Sequence, residues 1–516
     1  MRQICLYHLS TRGNETDLSP SFYEKGTVAV NRLGLFPRER CFELMSLVNG
    51  AGQAADPRRW LSLSIIIVAV FMVVLDTFIV NVALPSMQQD LHAGFEKLQL
   101  IVAAYVIGYA ALLVTGGRLG DLYGRKTIFL LGVAGFVAAS AWCGLAGSAN
   151  ALIVARVFQG VSAAAMVPQV LSFIQLMFPA EEKGKALGIY GAVLGLGAIA
   201  GQLAGGLLLK ADWWGLGWRL VFLVNLPVGV LALLFAAKLL RDSRAPERKR
   251  MDTVGVVLLT AGLGLFIYPI AVGSEYGWPL WAFASLAAAV VLLAVFVRFE
   301  HGLLRGGSSP LMPTTLFRIR PFRIGMFIAL AFYSGNAAMF FILSVYLQNG
   351  LGSTPMQSAY AFVPLAAGYF AASLLAPRLR RRWGNRVLQA GALLMAIGYA
   401  LLFFVVGRES DPGWLLMFLP LLVAGAGQGT VSTPLIHTVL AGVHGEHAGA
   451  ASGVLNTFTQ VAQALGIAII GTLYQTFLAH FESHGRTMQQ SLVILTALAL
   501  LTFALLTALS FKRKAS

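Results

Sequence analysis

The chain has 516 residues with a mean hydropathy of +0.74; 57 % of them are apolar and only 12 % are charged. A soluble domain carries about 25 % charged residues, so half the expected charge is missing, and collagen, coiled coil, disordered chain and disulfide scaffold are excluded. What remains is an all-α polytopic membrane protein, because only helices satisfy their own backbone in lipid at this composition. Three cysteines, Cys5, Cys41 and Cys143, show no ligand spacing, so neither a disulfide framework, a metal site nor a cofactor is expected.

Residues 1–59 hold no comparable apolar run and no cleavable signal pattern, and read as a polar, mobile tail in which Met45 offers an alternative start. A spanning helix needs about 20 apolar residues. That length fits fourteen stretches, near 60–85, 98–118, 127–148, 151–177, 186–209, 217–239, 253–273, 279–298, 322–349, 357–377, 387–407, 413–439, 448–478 and 488–511. They group as six helices (60–240), a charged linker (241–252), two extra helices (253–299), a Pro-rich connector (300–321), six more helices (322–511) and a basic tail (512–516).

The formal net charge of +16 is explained by where the bases fall. With the N-terminus placed inside the cell, alternate loops and both tails collect 32 of the 38 lysines and arginines, and the opposite loops hold five. Positive charge marks the cytoplasmic side, so both termini are expected in the cytoplasm of a multi-pass protein of the cell (inner) membrane. A nucleic-acid partner is not needed to account for the basicity.

Charge inside the spans is costly and usually functional. Asp76 is the only carboxylate well inside any of the fourteen stretches, and Arg156 is the only guanidinium there. At about 1.5 Å per residue, Asp76 sits roughly 13 Å and Arg156 roughly 7 Å below the outer surface, a difference that side chains or one water can bridge. Burial disfavours the carboxylate and a neighbouring guanidinium favours it. A site poised by such opposition can exchange a proton; a permanent structural pair is the competing reading, and Arg156 as anchor for an anionic substrate is a third.

The turn between the second and third stretches reads GRLGDLYGRK from Gly117 to Lys126. Gly117 and Gly120 permit close backbone approach, and Asp121 can accept from Arg125 or face a helix N-terminus. Such a contact suits a conformational latch of Gly117, Asp121, Gly124, Arg125 and Lys126, while the plainer alternative is a positively charged turn with a surface ion pair. In the fifth stretch, GLGAIAGQLAGG (195–206) carries Gly197, Gly201 and Gly205 at helix-packing spacing. The GxGxxA string within it follows no strand, and no GxxxxGK[ST] occurs, so neither a dinucleotide nor ATP is implied.

Polar and aromatic stripes add candidate substrate contacts. Asn456, Gln460 and Gln463 share one face of the thirteenth stretch; Phe332, Asn336 and Phe340 share one of the ninth; Tyr105 and Tyr109 share one of the second; Asn81 lies near Asp76. Aromatic walls suit bulky amphipathic cations, although amides in spans also serve as interhelical glue. His437, His444 and His447 cluster with Glu446 alone, which is too few ligands for a metal, and RLRRRWGNR (378–386) lacks the acid of the first latch.

GRLGDLYGRK, ARVFQG (155–160), LDTFIVNVALP (75–85), WRLVFLVNLPVG (218–229), YLQNGLGSTPMQSAYAFVP (346–364) and AASGVLNTFTQVAQALG (450–466) together resemble the signatures of the major facilitator superfamily, and of its fourteen-spanner drug:proton antiporter branch (EmrB/QacA type), over about 60–511. The resemblance implies two six-helix bundles that alternate access, with Asp121 and Arg125 in the family's conformational latch. It departs from the branch at Gln202, where a proline is usual, and so puts the kink of that helix in doubt. The function it implies is secondary transport, not enzymatic catalysis: proton-coupled export of small, amphipathic, cationic drugs across the lipid bilayer. Export of a dedicated anionic metabolite and a non-transporting sensor of the same fold are the alternatives. The resemblance leaves room for a periplasmic adaptor protein as partner.

Overall fold

The computed structural model of the chain describes residues 57–241, 252–273, 276–305, 310–312, 314–407, 413–440 and 448–511. Most of the tail and linker read from the sequence, the basic C-terminus, and the side chains of His437, His444 and His447 lie outside the described residues. Arg58–Ser516 forms one compact unit.

Fourteen long helices fill the described residues: α1 (Arg59–Asp90), α2 (Phe95–Tyr123), α3 (Arg125–Gly144), α4 (Ala149–Met177), α5 (Ala180–Ala211), α6 (Asn225–Leu239, led in by a turn at Leu220–Leu223), α7 (Thr253–Val272), α8 (Leu280–Arg305), α9 (Arg320–Val345), α10 (Pro355–Trp383), α11 (Arg386–Val406), α12 (Gly413–Val439), α13 (Ala448–Phe481) and α14 (His484–Phe511). Thirteen stretches of the described residues are long and apolar enough to cross a membrane. Local chemistry sets the ends. Gly124, at φ +104°, takes a backbone conformation that side chains disfavour and breaks α2 from α3. Thr354 and Gln357 cap α10 reciprocally, with Pro355 in its first turn. Asp252 caps α7 by accepting from the Gly255 N–H at 2.8 Å. Several helices outrun their expected spans: α5 begins six residues before 186, where Pro179 and the acidic first turn start it, α8 continues past 298 to Arg305, α10 past 377 to Trp383, and α1 and α2 past 85 and 118. α5 runs unbroken through Gln202, whose buried amide atoms find no hydrogen-bond partner.

Packing follows two sets. α1 lies along α5, and α4 packs between α2 and α3, with α6 against α3 and α1. In the second half α12 packs against α10 and α11, α9 against α13, and α14 against α11 and α9. α7 pairs with α8 and touches α2 and α13, where Thr472 donates to the Ile270 carbonyl at 3.2 Å.

The seam between the sets is built at the end of the molecule that carries the α1–α2 turn. Phe78 meets Phe340 edge-on at 4.9 Å, and Phe340 stacks on Phe362 at 5.5 Å. Ser344 donates to the Asn81 carbonyl at 2.5 Å and Gln348 to the Val82 carbonyl at 3.0 Å. Phe95 packs edge-on to Phe341 at 5.6 Å and stacks with Tyr474 at 6.2 Å. Farther along the chain from this seam, Asn456 on α13 is exposed, and Gln460 and Gln463 are partly so.

Lipid gives helices no hydrophobic reason to associate, so close backbone approach carries the packing. Gly197, Gly201 and Gly205 all turn toward α1, next to Val74, Leu75 and Ile79. A β-carbon at Gly201 would stand 2.7 Å from the Leu75 carbonyl, whereas one at Gly188 would meet nothing. Gly201→Leu is therefore expected to destabilise the protein by about 1–3 kcal/mol, read as a lowered thermal midpoint in detergent, and Gly188→Leu to leave that midpoint unchanged. Equal midpoints for both variants would contradict this packing.

Candidate functional site

Five helical segments converge on one sealed polar cluster in the first set of helices. α1 supplies Asp76, α3 supplies Ser140, α4 supplies Arg156 and Gln159, α6 begins with Asn225, and α2 contributes the Ile101 carbonyl and the Tyr105 ring. Asp76 and Arg156 are both fully buried. Arg156 Nη1 donates to Asp76 Oδ2 at 2.5 Å and to Gln159 Oε1 at 2.6 Å, and its Nε donates to the Ile101 carbonyl at 3.2 Å. Asp76 Oδ1 accepts from Gln159 Nε2 and from Asn225 Nδ2, each at 2.8 Å. Gln159 Nε2 also reaches Ser140 Oγ at 2.8 Å.

The physics of this arrangement is that of a buried ion pair. Removing two charges from water costs several kcal/mol each, and the cost is offset only where the partners are well placed and the remaining acceptors are filled. Here the carboxylate accepts three side-chain donors. The guanidinium lies over the Tyr105 ring at 4.3 Å, with Phe222 at 5.7 Å, an attractive cation–π geometry that strengthens when desolvated. Its Nη2 has no hydrogen-bond partner. The cluster thus joins five segments through bonds that centre on the two opposite charges. Neutralising the acid would remove the attraction that holds Arg156 between α1 and α2.

The residues singled out in the sequence distribute as follows. Asp76 and Arg156 meet directly, with no water needed between them. Tyr105 is 1 % exposed and lies under the guanidinium, not in a cavity wall, and its hydroxyl donates to the Val73 carbonyl at 3.5 Å. Tyr109 neighbours it at 6.1 Å. Asn81 is buried, its amide donates to the Phe78 carbonyl at 3.3 Å, and its own carbonyl lies in the seam. Phe340 also lies in the seam, whereas Asn336 donates to Gln428 at 2.9 Å and Phe332 is buried beside Tyr333, both within the second set. Gln463 donates to Gln460 at 3.0 Å. The stripe on α9 is therefore split, with its end at Phe340 in the seam and its remainder in a core.

In the turn after α2, Arg125 donates to Asp121 at 2.7 Å, an i, i+4 pair whose acid is 45 % exposed. Gly117 faces Pro168, and Gln169 fills the space beside Gly120 while donating to the Gly116 carbonyl at 2.7 Å. Lys126 donates to the Ala237 carbonyl of α6 at 2.7 Å, and Arg118 donates to the Pro310 carbonyl in the connector. In RLRRRWGNR, Arg380 donates to the Pro434 carbonyl at 3.3 Å.

Sequence reasoning missed Gln159, Asn225 and Ser140. Gln159 stands one helical turn after Arg156, and that spacing was the available signal. Asn225 lies within WRLVFLVNLPVG, a stretch singled out in the sequence, but neither it nor Ser140, on a distant helix, carries a spacing that assigns it to the cluster.

A sequence profile described as the Major Facilitator Superfamily matches residues 66–467. The probable actinorhodin transporter of Streptomyces coelicolor is 38 % identical over 429 residues, covering 82 % of this chain and 74 % of that protein. The puromycin resistance protein pur8 of Streptomyces alboniger is 38 % identical over 444 residues (85 % and 86 %), and the multidrug resistance protein Stp of Mycobacterium tuberculosis is 34 % identical over 418 residues (80 % and 76 %). Among solved structures, a bacterial homolog to the human lysosomal transporter Spinster, inward-facing and unoccupied, aligns with TM-score 0.66 at 16 % identity, covering 89 % of this chain and 98 % of that one. The xylose transporter XylE from E. coli, in a partially occluded inward-open conformation, aligns with TM-score 0.59 at 15 % identity (86 % and 98 %). With its polytopic helices, its paired helical sets and this match across most of its length, the chain belongs to the Major Facilitator Superfamily of membrane transporters.

Proposed function

We propose that this protein is a proton-coupled antiporter that exports small amphipathic, cationic drug-like compounds from the cell by alternating access. The observation that carries the reading is the sealed Asp76–Arg156 pair on helices that also build the seam. Asp76 and Phe78 are two residues apart on α1, one on the face toward α4 and α6, the other against Phe340 of α9. A proton on Asp76 loosens the grip of Arg156, Asn225 and Gln159, lets α1 shift, and weakens the seam at Phe78, Asn81 and Val82. With bases marking the cytoplasm, that seam closes the outer side, which fits a state open inward. Drug entering between the sets from the cytoplasm meets Gln460 and Gln463, and the opening of the seam releases it outside. The relatives named for antibiotic and multidrug resistance support drug-like cargo for this chain.

Both termini are then cytoplasmic, and the latch of Gly117, Asp121, Gly124, Arg125 and Lys126 closes the inner side in the opposite state. An adaptor protein in the periplasm is compatible with the exposed outer turn at Trp213 and Trp214. Anchoring of an anionic cargo by Arg156 is disfavoured because its guanidinium is sealed and already bonded to Asp76.

Asp76→Asn is expected to abolish gradient-driven efflux of puromycin from cells at unchanged membrane abundance, matching the effect of a proton uncoupler on the parent; full efflux by the variant would refute proton coupling here. Arg156→Ala strands a buried carboxylate and is expected to cost about 3–5 kcal/mol, measured as loss of thermal stability in detergent. Adding Asp76→Asn to it is expected to restore part of that loss, and strict additivity of the two changes would contradict the pair. Arg156→Lys keeps charge but cannot bond Ile101, Asp76 and Gln159 together, so efflux is expected to fall about tenfold for a loss of about 1.4 kcal/mol.

A further inference from the structure

A second pair of buried acids lies apart from the Asp76 cluster, where the start of α7 meets the end of α8. Asp252 is 7 % exposed and Glu300 is fully buried. Each carboxyl has one oxygen satisfied by a backbone N–H: Asp252 Oδ1 accepts from Gly255 at 2.8 Å, and Glu300 Oε2 accepts from Met312 of the connector at 2.6 Å. The other two oxygens, Asp252 Oδ2 and Glu300 Oε1, are buried without a hydrogen-bond donor. Both face Gly255: a β-carbon there would lie 2.6 Å from Glu300 Oε1 and overlap Asp252 Oδ2. The missing side chain at Gly255 is what lets the two carboxyls approach.

Two carboxylates in one dry pocket repel, and one of them is driven to take a proton that both can share. A metal ion is a poorer occupant, since two free oxygens are too few for the hard cations that choose carboxylates. Arg118 of α2 feels the charge of both acids and of Asp121. His301 of α8 turns to Thr314 Oγ1 at 3.1 Å, Arg298, Arg305 and Arg318 are exposed, and the face of α13 against α7 carries no charge. Arg118 donates to the Pro310 carbonyl, two residues before the Met312 N–H held by Glu300. The acids, the connector and the turn after α2 therefore form one continuous set of contacts.

We propose that Asp252 and Glu300 constitute a second proton-binding site, with one proton shared between Asp252 Oδ2 and Glu300 Oε1, and that its occupancy governs the hold of Arg118 on the connector. With the proton bound, the pair carries a single negative charge and Arg118 stays on Pro310. With the proton released, two charges draw the guanidinium inward, the connector loses its contact, and the turn after α2 is pulled with it. The site stands independently of Asp76 and of drug export.

The test is infrared difference spectroscopy of the purified full chain in lipid, titrated from about pH 5 to about pH 9, following the carboxylic-acid C=O stretch. The parent is expected to lose one such band that both Glu300→Gln and Asp252→Asn lack and that Asp76→Asn retains. Gln and Asn keep the volume and can still accept from Met312 and Gly255, so both variants are expected to fold. Gly255→Ala, which wedges the carboxyls apart, is expected to shift the same band. Arg118→Gln removes the cation that favours release, so the midpoint is expected to move to higher pH. A band unaltered in either acid variant overturns the shared proton, and an unmoved midpoint in Arg118→Gln overturns the coupling to the connector. If Asp76→Asn alone removes the band, the titrating group is Asp76 and this site is empty of protons.

Discussion

A carboxylate and a guanidinium sealed away from water tie together the helices on which everything else rests. Asp76 and Arg156 join α1 to α4, and their bonds to Gln159, Asn225 and the Ile101 carbonyl bring in α6 and α2. In lipid the helices gain nothing from mutual hydrophobic burial, so a cluster of charge-assisted bonds has leverage that it would lack in a soluble core. The same cluster is expensive to alter by half. Removing one charge leaves the other in a low-dielectric site with no solvent to receive it, and on the mechanism proposed above this makes protonation of Asp76 a discrete structural event.

α1 links the cluster to the seam. One face meets Arg156 and Asn225; another meets α9 through Phe78 and the carbonyls of Asn81 and Val82; a third receives the glycines of α5. Small residues on α5 bring the two backbones close together, while aromatic stacking and a few hydrogen bonds hold the seam. A packed interface of this kind has discrete arrangements in place of a continuum of them. The account proposed for transport asks a proton to bias two such arrangements and nothing more.

Much of this was legible in the sequence, and the reasons differ by feature. The helices were visible because an apolar run of membrane-spanning length has few alternative readings. Asp76 and Arg156 were visible because charge in such runs is rare, and their depths matched to within a side chain's reach. What depth cannot supply is direction around the helix. Tyr105 and Phe332 were assigned to a cavity wall by spacing alone, yet the first lies under Arg156 and the second in a core. Gln159 lies one turn from Arg156, but Asn225 and Ser140 complete the cluster from far along the chain, and no local pattern reports such convergence. Asp252 and Glu300 were hidden for another reason: they sit at helix ends, in charged segments that read as solvated linker until the connector folds over them.

The central claim is that the charge on Asp76 gates exchange of cargo for protons. It is tested most directly with purified protein in sealed liposomes, by imposing a pH difference and following a panel of amphipathic cationic compounds and internal pH together. The mechanism requires a transported compound to move against its gradient as protons move the other way, with both fluxes lost in Asp76→Asn. Cargo flux that ignores the pH difference, or that survives neutralisation of Asp76 with proton movement intact, would contradict it.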